Sequence, residues 1–122
     1  QVQQQQFYPA SQSIKSGTKI FAVVADDPDT LFQVVSCSAT TTVAGMGISA
    51  IGNNIALIQN AGSTTTGNSK VAIDEGTQAT TNTLPIRIID VVRETATGAD
   101  TFVEFIVKIN ATMHQYNNST GV

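Results

Sequence analysis

The stretch that most limits what this chain can fold into is residues 84–110, LPIRIIDVVRETATGADTFVEFIVKIN. Two runs rich in Ile, Val and Phe are separated by a turn-like segment, residues 94–100. In the second run Val103, Phe105, Val107 and Ile109 alternate with Phe102, Glu104, Ile106 and Lys108. A period of two places the first set on one face of a strand and the second on the other. In the first run Ile86 and Ile88 share a face with Leu84, and Ile89 and Val91 take the opposite face. Arg87 and Arg93 interrupt it. The expectation is a long hairpin, nearly central in a sheet, against which the rest packs.

The remaining chain must supply the partners of that hairpin. Residues 19–25, KIFAVVA, read as a strand apolar on both faces. Residues 26–30, DDPDT, form a turn closed by Pro28, and residues 31–38, LFQVVSCS, are the next strand; the two can pair as a hairpin. Residues 39–50 carry Gly45 and Gly47, with Gly52 just beyond, so a long helix is costly and at most one turn is expected. Residues 54–59 and 70–74 read as short strands, divided by the polar loop NAGSTTTGNS and followed by a second Thr-rich loop over 75–83. Pro85 opens the hairpin at a position where a strand loses no needed ladder bond. Gly17 marks a turn with the freedom to take a positive φ.

Six or seven strands without an amphipathic helix predict an all-β fold. It should be one domain, a sandwich, jelly-roll-like fold or partly open barrel. An extended arm is expected at 1–13, a β domain at 14–110 and a polar tail at 111–122. The 122 residues suffice for one core. QVQQQQ has no apolar period, whereas Phe7, Tyr8 and Pro9 form a small adhesive knot within the arm. That knot either tucks onto its own domain or docks on a neighbouring subunit.

Charged residues are 12% of the chain, about half the share usual in soluble proteins. Thr, Ser, Asn, Gln and Gly fill the gap, and such a surface packs against protein more readily than a highly charged one. A net charge of -3, with six basic residues dispersed along the chain, disfavours nucleic acid as a partner. No apolar run approaches the ~20 residues that span a bilayer, and a basic amphipathic helix for membrane surfaces is also missing. The sequence opens with neither a signal peptide nor Met, consistent with a trimmed or processed start.

Reactive groups are sparse. The single cysteine, Cys37, lies in a strand and reads as a buried structural thiol; no internal disulfide can form. Three acids in DDPDT raise calcium binding, but the spacing lacks the alternating ligands of an EF-hand loop and favours a solvated turn. GMGISAIG lacks the spacing of a nucleotide fingerprint. His114 has neither an H-x-E nor a C-x-x-C companion and reads as an interface or tail histidine. Asp90, Glu94, Asp100 and Glu104 flank the hairpin turn beside Arg93, and cross-strand pairing and solvation account for them better than a glycosidase pair. Asn110-Ala111-Thr112 and the run from Asn117 to Thr120 match the N-x-[ST] pattern, which carries weight only in a secreted eukaryotic protein. The expectation is no enzyme, no cofactor and no metal. Partner contacts are expected at Phe7, Tyr8, Pro9, His114 and Tyr116.

The second half also resembles a family. AGSTTTGNSKVAID, a Thr-rich stretch, LPIRIIDVV, a polar turn, FVEFIVKIN and HQYNNSTGV follow one another in an order similar to small head decoration, or cement, proteins of tailed bacteriophages. The resemblance covers residues 61–122, about half the chain, and rests on composition and hydrophobic pattern. It implies a jelly-roll-like or related β fold on the outer surface of an icosahedral capsid. The implied partners are the major capsid protein and further copies of the chain, as a dimer or trimer. No catalytic residue is implied. The competing expectations are another virion component (a minor coat, tail or fibre domain) and a free β-sandwich module that binds a peptide or glycan.

Overall fold

A computed structural model of the protein describes residues 16–17, 19–37, 46–96, 102–114 and 116–120. The architecture is all-β, as the alternating patterns predict. Five strands appear among the described residues: β1 Phe32–Cys37, β2 Asn54–Asn60, β3 Lys70–Ala79, β4 Ile86–Val91 and β5 Glu104–Ile109. They close into one barrel in the order β1-β3-β2-β4-β5. This topology is a single closed sheet and does not display the two packed layers of a sandwich or jelly roll.

The hairpin expected at 84–110 is the antiparallel β4–β5 pair, with Ile86 opposite Ile109, Ile88 opposite Val107 and Val91 opposite Phe105. β5 pairs on its other side with β1, from Phe32↔Val107 to Val35↔Glu104, and the Ser36 N–H donates to the Val103 carbonyl at 2.8 Å. β2 runs antiparallel to both β3 and β4. The barrel closes through a parallel contact of two residue pairs, Ser36↔Ile73 and Cys37↔Asp74.

Val103, Phe105 and Val107 all point into the core, and Phe105 is 0% exposed. Ile55, Ile73, Ile86, Ile88 and Val91 meet them there. Close packing of this kind leaves the narrow interior filled by side chains. Met46 and Ala50 are also buried in this core. They come from the stretch just before β2, where residues 48–50 make one 3₁₀ turn, as the glycine-rich sequence predicts. Gly52 follows at φ +89° and its N–H donates to the Ile88 carbonyl at 2.9 Å. The left-handed conformation favours glycine there, and the bond fixes the turn over that end of the barrel.

Three sequence expectations are corrected. Ile89 and Val91 do not share a face: Val91 is buried and Ile89 exposed. The register shifts between Ile88 and Asp90, so one residue bulges and re-aims the strand. The Asp90 side chain accepts the Val91 N–H at 2.8 Å at that point. Second, β3 does not end at Asp74 but continues to Ala79, through residues whose composition reads as loop. Its register on β2 jumps from Ala56↔Asp74 to Asn54↔Ala79. Thr77 stabilises the irregularity by accepting the Ala56 N–H at 3.0 Å and donating to the Asp74 carbonyl at 2.7 Å. Third, residues 19–25 form no strand. They are exposed throughout, with Val23 at 102% and Phe21 at 82% of full exposure. The physical reason is that no neighbouring strand of the chain pairs with this segment among the described residues.

Candidate functional site

The strand directions put the starts of β1, β3 and β4 and the ends of β2 and β5 at one end of the barrel. This end is closed on one side only. On the β4–β5 side, Asn110 is buried and its side-chain amide donates to the carbonyls of Asn82 at 3.1 Å and Leu84 at 2.9 Å. The Asn110 N–H donates to the Pro85 carbonyl at 2.8 Å, and the Thr112 hydroxyl to the Asn82 carbonyl. The Ala111–Met113 3₁₀ turn is therefore tied to the barrel rather than free.

His114 completes this cover. It is buried, and its Nε2 lies 3.0 Å from the Asp26 carbonyl oxygen. Its Nδ1 accepts the Tyr116 N–H at 3.3 Å. The neutral ring protonated on Nε2 satisfies both contacts, a tautomer assigned from these partners. Its ring also lies 5.4 Å from that of Tyr116, tilted by 47°. His114 thus faces its own chain, whereas Tyr116 is exposed and free to meet a partner. Phe7, Tyr8 and Pro9 lie outside the described residues.

The DDPDT turn is held to this same side. The Thr30 N–H donates to the Asp27 carbonyl at 3.1 Å, and the Asp29 N–H to the Asp27 carboxylate at 2.9 Å. Lys108 of β5 reaches Asp29 at 3.3 Å. The three acids therefore serve the turn and its anchors. Among the described residues, no group of three or more His, Cys, Asp or Glu could hold a metal ion.

On the β1–β3–β2 side the end is open. Phe32 lies opposite the buried Val107 and Leu57 opposite the buried Ile73. Directly opposed residues share a face, and Val71, two residues before Ile73, shares it as well. These three side chains occupy core-facing positions yet are exposed. Ile20, Phe21, Val23, Val24 and Leu31 also stand in solvent. Full burial of such a side chain contributes about 1.5–3 kcal/mol. Large apolar side chains left exposed in this number mark an interaction surface.

The remaining candidate groups are occupied in the fold. Cys37 is buried, and Asn60 Nδ2 approaches its Sγ at 3.5 Å. Buried Asn54 links β2 to the loop after β3, donating to the Thr81 carbonyl at 2.9 Å, while Arg87 donates to its Oδ1. Glu104 accepts from Gln33, and Asp90 caps the bulge. Asp100 lies outside the described residues. No cross-strand ion pair joins Asp90, Glu94, Arg93 or Glu104 among the described residues.

Sequence reasoning identified the apolar character of residues 19–25 but missed their availability. It also missed the embrace of Asp26 by His114, which joins positions 88 apart in the chain. No helix is long and apolar enough to cross a membrane among the described residues. No family model, curated protein or solved structure matches the chain.

Proposed function

We propose that this protein is a structural virion component that binds the outer surface of an icosahedral phage capsid. It clamps neighbouring major capsid subunits and has no catalytic role. The observation that carries this reading is the solvent-facing apolar run at residues 20–24. The low charge of the chain supports it, because uncharged polar loops lose less on desolvation than Lys or Glu. The resemblance of residues 61–122 to phage cement proteins supplies the particular surface. In this reading residues 1–13 form an extended arm that reaches adjoining subunits, and within the tail at 111–122 the part beyond His114 does the same. Phe7, Tyr8, Pro9 and Tyr116 are its aromatic anchors.

A clamp of this kind binds the assembled shell and not its separated subunits, so it stabilises the shell by linkage. Repetition over the capsid multiplies weak individual contacts. The test compares particles with and without the protein under heat and osmotic shock. Particles lacking it are expected to rupture earlier, and equal resistance overturns the reading. Copy number separates the alternatives: a decoration protein coats the particle in many copies, a tail or fibre part in few. Deleting residues 1–9 is expected to spare the fold and weaken attachment, measured as occupancy on purified particles.

A further inference from the structure

We infer that residues 20–24 are an exchanged β-strand, inserted between β1 and β3 of a second copy of this chain. This deepens the oligomeric part of the reading above and does not require a capsid.

The donor and its acceptor are both present in one molecule. The donor is a segment unpaired among the described residues, whose alternation puts Ile20, Ala22 and Val24 on one face of a strand and Phe21 and Val23 on the other. Continuous apolar runs of this length belong to strands covered on both sides. The acceptor is the thinly closed seam between β1 and β3; β2 and β4 are also paired at two positions, but backbone bonds from Gly52 to Ile88 and from Ile88 to Asn53 extend their contact. β1 and β3 meet only at Ser36↔Ile73 and Cys37↔Asp74. Below that point β1 is paired with β5, and β3 with β2. The facing edges, Phe32–Val35 of β1 and Lys70–Ala72 of β3, have no strand between them among the described residues. Unpaired edges of this kind are templates for another strand. Phe32, Leu57 and Val71 stand exposed beside the seam, ready to be covered.

The anchors decide whose segment fills it. Asp26 is held by His114, and Asp29 by Lys108 of β5. Both contacts draw the chain to the β5 side of β1, whereas the seam lies on its β3 side. These contacts hold the residues just after the segment away from its own seam. A second copy meets no such conflict. The exchange is also self-complementary, as a two-fold pair requires, because each molecule offers one donor and one acceptor.

Complementation between two variants tests this. Val23→Asp disables the donor at a fully exposed position, and Val71→Lys disables the acceptor at the open barrel end. Solution mass is measured by sedimentation for the full chain, with circular dichroism confirming a native β spectrum for each variant. The wild type is expected at a multiple of 12.8 kDa and each variant alone at the monomer mass. An equimolar mixture of the two should recover a dimer, since one sound donor and one sound acceptor remain. In the wild type the amides of residues 20–24 should be protected from hydrogen exchange, and in the Val23→Asp variant they should not. A monomeric wild type, variants that still self-associate, or a mixture that stays monomeric each overturns the exchange. Protection of residues 20–24 that arises only on assembled phage shells overturns it in favour of the capsid as occupant, and leaves the clamp reading intact.

Discussion

Two apolar stretches of similar composition meet opposite fates. At β5, Phe105 and Val107, with Val103 just before the strand, are buried between neighbouring strands. In residues 19–25, Ile20, Phe21, Val23 and Val24 face water. Both satisfy the sequence requirement for a strand. What separates them is a neighbour: β5 has β1 and β4, while the other segment pairs with no strand among the described residues. Hydrophobic pattern therefore specifies that a surface needs covering, and topology decides whether the chain itself can supply the cover.

The contrast is sharpened by three substitutions. Phe105→Ala opens a cavity where the core is fully closed and is expected to cost about 3–5 kcal/mol, read as a lower denaturant midpoint. A loss below that of an ordinary surface substitution would mean that β5 is not the centre of the fold. His114→Ala removes the partner of the Asp26 carbonyl and of the Tyr116 N–H, and is expected to cost about 1–3 kcal/mol. Limited proteolysis should then cut sooner near residues 26–31, and an unchanged cleavage pattern would deny His114 its anchoring role. Val23→Asp should alter the unfolding free energy of the isolated monomer least, by no more than about 0.5 kcal/mol. A large loss there would show that residues 19–25 are covered within the single chain, and the comparison would collapse.

Much of the barrel can be read from local pattern. β1, β2, β4 and β5 fall where alternation or dense β-branched runs place them, and the inward set on β5 follows directly from its period. Departures arise where a distant contact overrules a local signal. Val91 turns inward because a bulge between Ile88 and Asp90 breaks the two-residue rhythm, and nothing in IIDVV marks where the extra residue falls. The Glu75–Ala79 portion of β3 contains Gly76, Thr77 and Gln78, which resemble a loop until Thr77 is seen bonded to Ala56 and Asp74. His114 reads as a tail residue because its partner lies near the other end of the chain. The apolar run at 19–25 was visible from the outset, but a single sequence carries no signal for the molecule that completes it.

The pairing of β1 with β5 carries a consequence for how the protein comes into being. Gln33 and Glu104, bonded across these strands, are 71 residues apart. Contacts of such long range slow folding, since the intervening chain must first be ordered. On a ribosome, β1 must wait for β5 to emerge before it finds its place. The apolar run just ahead of it is exposed for that entire interval, so newly made chains are most vulnerable to premature association before synthesis ends.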